Sequence, residues 1–360
     1  MEKIKFGIIG HGWRADFYLR IARELPERFE AARMLVRREE TAAAQRAAWG
    51  VDVYRDLDAF LAGADLDFVV VSVPWEVCPV YIRELAARGV PVLAETPPAP
   101  DLAGLTALYE AVGGEAKVQV AEQLLFQPMH AARITLARSG KLGDVSQAQV
   151  SVAHGYHGIS LIRQFLGVRF EEAAITGQRF VSPIVEGPGR QGPPRQEVIK
   201  DSSQDIVFLR FGDKLGVLDF TGDQYFSWIR RERLLVRGQR GEIIGDEAAW
   251  LQDFRTPVVL KLRRIDNGFD GNVLGFNYGG ILLGAEWLYV NPFVPGRLTD
   301  DEVAVATSLA KMGDYVRGGP SFYSLAEASQ DHYLNLLAQW AIAEGTTVTS
   351  EKQAWHPEAR

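Results

Sequence analysis

Cysteine is almost missing from this chain. Cys78 is the single one among 360 residues, which excludes an intrachain disulfide framework and a cysteine-based zinc cluster and leaves a small buried thiol. No run of roughly 18 or more apolar residues occurs, so no segment reads as a membrane-spanning helix. The opening MEKIKFGIIGHG enters a strand without the long apolar stretch of a secretory leader, and the expected location is the cytoplasm. HExxH is absent, and no carboxylate–histidine set has metal-ligand spacing, so no metal is expected. Positive charge is also scarce: 39 Lys and Arg against 46 Asp and Glu give a net charge of -7. That balance disfavours nucleic acid or an anionic membrane as partner and points to a small molecule. Low-complexity tracts are lacking too. With 360 residues, 47% of them hydrophobic, the chain exceeds what a single core usually holds, and two domains are expected.

What is present begins with IKFGIIG, residues 4 to 10, an apolar run that meets His11-Gly12 before Phe17, Ile21 and Leu25 recur at helical spacing. This pattern is strand, glycine turn, helix. Gly10, Gly12 and Ala15 spell GxGxxA: Gly10 permits the tight turn, Gly12 lets backbone approach a pyrophosphate, and Ala15 allows close helix packing. The helix start, with Trp13 and Arg14 in the same turn, offers free N–H groups to phosphates. Further strands are expected at 32–36, 66–74, 90–95 and 117–123, alternating with helices at 42–49, 80–88 and from Asp101. Apolar strands alternating with helices predict a parallel sheet covered on both faces, so residues 1–123 read as a dinucleotide-binding Rossmann domain.

The end of the second strand selects the dinucleotide, since an acid bonds the adenosine ribose whereas a basic residue receives a 2′-phosphate. Here Arg37 and Arg38 occupy the corner, favouring NADP over NAD, while Glu39 and Glu40 are the alternative ribose partners.

Residues 124–360 read as a second domain that binds substrate and builds an oligomer. A bridging helix over 127–139 precedes strands at 146–152, 172–181, 204–211, 214–220, 230–238 and 256–264, with a hairpin turn at Phe211-Gly212-Asp213-Lys214. Residues 182–196, SPIVEGPGRQGPPRQ, read as a long irregular loop carrying Arg190 and Arg195, whose charges are expected in solvent. Tyr225, Phe226 and Trp228 are candidates for a partner surface or for plain core. Thr299 with Glu302 and Ser324 with Glu327 have capping-box spacing. The helices they start carry Val305, Leu309, Met312 and Val316 on one face, and Tyr333, Leu337 and Trp340 on the other helix's face. These helices are expected to pack back on the first domain.

Four stretches, GIIGHGWRA, VVVSVPWEVCPVYIRELAARGVPVLAETPPAPDLAGL, AEQLLFQPMHAARITLARSGKLGDV and HGISLIRQFLG, together resemble the Gfo/Idh/MocA oxidoreductase family along most of the chain. The resemblance implies an α/β Rossmann domain followed by an α+β domain with a largely antiparallel open sheet that commonly builds a homodimer or homotetramer. Ser72, Val73, Pro74 and Trp75 match the turn beside the nicotinamide ribose, and Glu95, Thr96 and Pro97 match Glu-Lys-Pro. Thr96 thus stands where the family has lysine, and a hydroxyl can bond there without bringing charge. Gln123 matches a polar position near the nicotinamide, while Leu125 replaces a frequent arginine. His157 occupies the position of the family's proton acceptor, with Ala153 where an aspartate is usual. His157 is the candidate base, with Tyr156 or Thr96 bonding the same oxygen; the alternative is support of the following helix, which is also the reading of His154. Asp331 and His332 are further candidates on the last helix.

The resemblance implies an NAD(P)-dependent oxidoreductase acting on a CH–OH group of a sugar, cyclitol or related polyol, or on the matching ketone. Two alternatives stand beside it: a lyase or glycoside-cleaving enzyme with retained NAD and transient oxidation, and a nucleotide-binding sensor without catalysis.

Overall fold

The structure, a computed structural model, describes residues 2–114, 116–266 and 278–358. In the first domain β1 (Ile4–Ile9), α1 (Trp13–Glu24), β2 (Phe29–Leu35), α2 (Glu39–Trp49), β3 (Asp52–Tyr54) and α3 (Leu57–Leu61) are followed by β4 (Phe68–Val71), α4 (Cys78–Ala87), β5 (Val92–Ala94), α5 (Leu102–Val112) and β6 (Val118–Val120). The six strands are all parallel, in the order β3-β2-β1-β4-β5-β6. β4, β5 and β6 are buried at every position, because helices cover both faces; the one polar side chain there, Gln119 of β6, is satisfied by Ser321 and the Phe322 and Tyr323 amides. The strand order reverses between β1 and β4, which opens a crevice beyond their carboxyl ends, where open α/β sheets take their ligands.

The second domain runs through α6 (Pro128–Arg138), β7 (Val145–Ser151), α7 (Gly155–Leu166), β8 (Ala174–Val185), β9 (Ile199–Phe211), β10 (Lys214–Thr221), β11 (Arg233–Gly238), β12 (Gly241–Ile244) and β13 (Glu247–Leu251). β14 (Pro257–Asp266), β15 (Tyr278–Leu283), β16 (Glu286–Val290), α8 (Asp300–Val316), α9 (Leu325–Glu344) and β17 (Val348–Thr349) complete it. Its strands form one open sheet ordered β16-β15-β14-β13-β12-β11-β7-β10-β9-β8-β17. Only the β7–β10 pair is parallel among them, so the sheet is mixed and largely antiparallel, as expected. α7 and α9 bury one face, with Ile159, Ile162, Leu334 and Ala338 in the same apolar cluster as Val150, Val207 and Leu218. On the other face Phe180 and Phe208 remain exposed, as do Phe226 and Trp228 beyond β10. α8 returns to the first sheet: Val303, Ala306, Leu309 and Met312 share a cluster with Phe6, Ile8 and Tyr18.

Several elements depart from the sequence reading. Residues 182–185 are the end of β8, not loop; Pro183 sits opposite Asp201 of β9. Proline is tolerated there because β17 pairs only with Ala174 and Ile175, leaving β8 an edge at position 183. The irregular segment is therefore 186–198. The hairpins β12–β13 and β15–β16 were not foreseen, their strands being only four to six residues long. Thr299 and Glu302 make the full reciprocal cap. Ser324 accepts from the Glu327 amide, but no returning bond forms, because the Glu327 carboxylate lies on Arg163 and Arg169. Trp340 is exposed: the later part of α9 packs through Leu334, Ala338 and Ala341, and the two alanines let the helix lie close to β8, where Gly177 faces Ile342.

Candidate active site

A cavity of about 570 Å³ lies in the crevice. One wall is the turn from β1 into α1. Gly10 has φ +115, and a Cβ there would meet the Ser72 carbonyl oxygen at 1.9 Å, so the turn admits only glycine. A Cβ on Gly12 would meet nothing within 4 Å. Gly12 caps α1 without any side-chain bond to its amides, so the amino end of the helix is open to the cavity, as a pyrophosphate requires. Ala15 is fully buried behind it.

Of the nominated residues, Gly10, Gly12, Trp13, Arg14, Arg37, Arg38, Ser72, Val73, Pro74, Trp75, Glu95, Thr96, Pro97, Tyr156 and His157 all line this cavity, joined by His154. Arg37 and Arg38 lie at the end of β2. Of the two competing acids, Glu39 pairs instead with Arg46 at 3.0 Å and Arg55 at 3.6 Å, and neither Glu39 nor Glu40 lines the cavity. Ala15 and Gln123 do not line it. The Gln123 amide oxygen accepts from Arg14 Nη2 at 2.9 Å and its nitrogen donates to the Ala121 carbonyl at 2.8 Å. Arg14 stacks on Trp13 and Phe17, at 4.5 and 4.8 Å from their ring centres, and its Nε is 3.9 Å from Glu95. Glu95 also accepts from the buried Tyr18 hydroxyl at 2.5 Å. Burial, reinforced by the Glu95 charge, holds that phenol well above its ordinary range, so it is the donor.

Thr96 follows β5 and lines the cavity together with Tyr156 and His157 of α7. Its own hydroxyl is the only polar group it brings. The His157 imidazole is held from behind: its Nδ1 lies 2.6 Å from Oε2 of Glu122, a carboxylate with no solvent exposure. The other Glu122 oxygen accepts the Leu124 amide at 3.0 Å. A carboxylate accepts only, so Nδ1 carries the proton and Nε2 is a free acceptor. Glu122 follows β6 in the first domain, whereas His157 belongs to α7 in the second. No spacing in the sequence connects them. The available signal was a glutamate directly after an apolar parallel strand, where such sheets put their chemistry.

Tyr156 is 3% exposed, with its ring against His157 and a hydroxyl that finds no partner; burial pushes the phenol well above its usual range. His154 is the N-cap residue of α7 but makes no side-chain cap bond. Its ring faces the cavity, edge-on to His157 at 5.0 Å between centres, so support of α7 is not what the ring does. His154 is exposed as a residue; where its ring is covered, loss of solvent and then the neighbouring His157 lower its pKa to about 4. Asp331 and His332 stand apart from the cavity: Asp331 is fully buried on Arg163 at 2.5 Å, and His332 Nε2 donates to the Pro100 carbonyl at 3.0 Å. Arg190, from the 186–198 segment, stacks over Trp13 at 4.0 Å. Cys78 is buried and its thiol is pushed up to about 12 by burial, then by Glu95, which leaves it inert. Among the described residues no group of three His, Cys, Asp or Glu is arranged for a metal, and no helix is long and apolar enough to cross a membrane.

Comparisons with known proteins bear on the fold. No curated protein sequence matches the chain. Among solved structures, a levoglucosan dehydrogenase in complex with NADH and levoglucosan is 17% identical, with a TM-score of 0.70 over 97% of this chain and 100% of that one. An oxidoreductase from Agrobacterium radiobacter in complex with NAD+, L-tartaric acid and magnesium is 16% identical, at 0.67 over 96% and 98%. A myo-inositol dehydrogenase from Corynebacterium glutamicum is 18% identical, at 0.66 over 97% and 99%. At these identities the likeness is one of fold, across both domains. Residues 4–122 match the family described as an oxidoreductase family with an NAD-binding Rossmann fold. The first domain, with its all-parallel sheet and its open glycine turn, thus belongs to the Gfo/Idh/MocA oxidoreductase family.

Proposed function

We propose that the protein is an NAD(P)-dependent oxidoreductase that oxidises a CH–OH group of a neutral sugar, cyclitol or related polyol, or reduces the matching ketone. The observation that carries this reading is His157, clamped by buried Glu122 and facing the same cavity as the Gly10–Gly12 turn. The nicotinamide coenzyme, when bound, supplies the acceptor or donor of hydride. Gly10, Gly12, Trp13 and Arg14 would hold its pyrophosphate, and Ser72, Val73, Pro74, Trp75, Glu95 and Pro97 its nicotinamide side, with Gln123 behind Arg14.

His157 Nε2 takes the hydroxyl proton, and the Glu122 charge stabilises the imidazolium that results. Thr96 bonds the same oxygen from the opposite wall. Tyr156 keeps its proton and supports the His157 ring by edge contact. Trp75, Tyr81, Thr96 and Tyr156 bring no positive charge to the reacting end, and His154 is neutral at pH 7; this favours a neutral polyol over a sugar acid or phosphate. Arg37 and Arg38, with Glu39 engaged elsewhere, favour NADP. Exposed Phe180, Phe208 and Trp228 on one side of the second sheet favour a homodimer or homotetramer through that face, which a monomer in sedimentation velocity would refute.

Titration calorimetry of the stripped protein with NAD, NADH, NADP and NADPH tests the coenzyme. A polyol and keto-sugar screen, read by reduced-coenzyme absorbance, tests the chemistry. Absence of any nucleotide binding overturns the proposal. Solvent deuterium entering substrate without net reduced coenzyme would turn it into a lyase with retained NAD, and tight nucleotide binding with neither signal into a sensor.

A further inference from the structure

Two imidazoles face one cavity with opposite hydrogen-bonding polarity. The first is His157, whose Nδ1–H donates to Glu122, leaving Nε2 as an acceptor. The second is His154. The Tyr225 oxygen accepts the His154 backbone N–H at 3.1 Å, and the same hydroxyl lies 2.5 Å from His154 Nδ1. Among the described residues the Tyr225 hydroxyl has no acceptor for its own proton other than Nδ1, so Tyr225 donates to Nδ1. Neutral His154 then carries its proton on Nε2. Among the described residues nothing takes that Nε2–H, and the ring lines the cavity.

Tyr225 is itself held firmly. It ends the short turn Gly222–Tyr225, closed by a reciprocal cap between Thr221 and Gln224. The Gln224 side chain also donates to the Ser151 and Arg231 carbonyls, both at 2.9 Å. The Tyr225 ring packs on Phe220 with centres 4.9 Å apart. Each imidazole thus has its tautomer set by a partner on the far side of the ring, and the rings meet at 85° with centres 5.0 Å apart.

We propose that His154 is the hydrogen-bond donor to the substrate oxygen that His157 deprotonates, so that the two histidines act as a donor–acceptor pair. The assignment rests on the oxidoreductase reading above. In oxidation the hydroxyl O–H bond breaks and its proton goes to His157 Nε2. The C–H bond breaks with its electron pair, delivered as hydride to the nicotinamide coenzyme, and the C–O bond becomes a carbonyl. His154 keeps its proton throughout and donates to the oxygen while negative charge passes through it, the role of a donor aimed at a developing oxyanion. This supplies a directed donor at a site where Thr96 brings no charge.

The test has one arm that needs no turnover. In protein labelled with 15N-histidine, with the His154 signals assigned through His154→Gln, the expected neutral-pH spectrum has Nε2 protonated and Nδ1 bare. Tyr225→Phe should mix the two tautomers. A wild-type Nδ1–H tautomer overturns the proposal, whatever the protein catalyses. The second arm uses levoglucosan, L-sorbose and myo-inositol as probes with NAD and NADP. For any probe that turns over, His154→Leu should lower kcat by about 100-fold with little change in KM. His154→Gln, whose amide places an N–H where Nε2–H was, should recover at least a tenth of the wild-type kcat. Equal losses in the two variants overturn the donor role. Should no probe turn over while the Nε2–H tautomer is present, the oxidoreductase reading is what fails first, and the histidine polarity stands.

Discussion

Gly10 and Gly12 stand two residues apart in one turn, yet a methyl group added to each should act on different things. Gly10→Ala places Cβ 1.9 Å from the Ser72 carbonyl oxygen and 2.8 Å from its carbon, at φ +115. An unfavourable backbone region of this kind costs about 1–3 kcal/mol. Contact distance then requires the ends of β1 and β4 to separate by roughly 1 Å at the centre of a close-packed sheet, for a total of about 3 kcal/mol or more. Gly12→Ala meets no atom within 4 Å and has φ -68 and ψ 171, which alanine adopts freely. Its cost is the poorer N-cap, about 0.5–1 kcal/mol. Thermal unfolding without nucleotide should therefore separate the two variants. Calorimetry with NAD or NADP should reverse their interest: a methyl on Gly12 fills space that a dinucleotide crossing the amino end of α1 needs, and affinity should fall at least tenfold, about 1.4 kcal/mol. If Gly12→Ala is stable and binds nucleotide as the parent does, the dinucleotide does not cross above Gly12 and the reasoning is wrong.

Replacing both Arg37 and Arg38 with alanine should weaken NADP far more than NAD in calorimetry; an equal loss would reduce the pair to general positioning. Glu122→Gln removes the charge behind His157 and should lower kcat by roughly 10- to 100-fold, about 1.4–2.8 kcal/mol, with nucleotide affinity unchanged, whereas Thr96→Lys should alter rate or substrate choice while nucleotide still binds. The reasoning about His157 fails if Glu122→Gln has wild-type kcat. His130 is buried and its pKa falls to about 3, first through burial and then through the Arg133 guanidinium. A base depressed in the fold contributes stability that is complete above its unfolded value near 6.5 and is lost as pH falls toward 3, by about 1.4 kcal/mol per pH unit. Urea unfolding at pH 7, 6 and 5 should show that loss, and His130→Gln should flatten it.

The first domain was legible because each of its signals is local: an apolar strand, a glycine turn and a helix lie consecutively, and parallel sheets repeat the unit. The long elements of the second domain were legible for similar reasons. β12 and β13 were not, since strands of four and five residues around Gly245 carry too few alternations to establish a period. Trp340 misled because helical spacing put it on one face with Tyr333 and Leu337, while the buried face of α9 there turns through Leu334, Ala338 and Ala341. At the candidate site, the sequence reads Thr96 and Ala153 as lost polar groups. Glu122 and Tyr225 are the partners the histidines have instead, each from another element and distant in sequence. A linear motif registers a contact only when both halves lie in the motif; here only the histidines do.

The stacking of Arg190 on Trp13 gives the molecule a clock. Trp13 is the first residue of α1 and lies on the cavity wall, half exposed at 51%, while Arg190 reaches it from the segment joining β8 to β9. The contact stands beside the amino end of α1, which a dinucleotide would cross. An exposed cation–π contact is worth about 0.5–1 kcal/mol, a factor of roughly two to five in occupancy. Arg190→Ala should therefore speed nucleotide release about two- to fivefold in stopped-flow measurements, and an unchanged rate would show that the stack does not meet the nucleotide. The residence time of a bound nucleotide is then expected to depend on Arg190, a residue that belongs to the other domain, while Arg14 covers the same indole from its own helix.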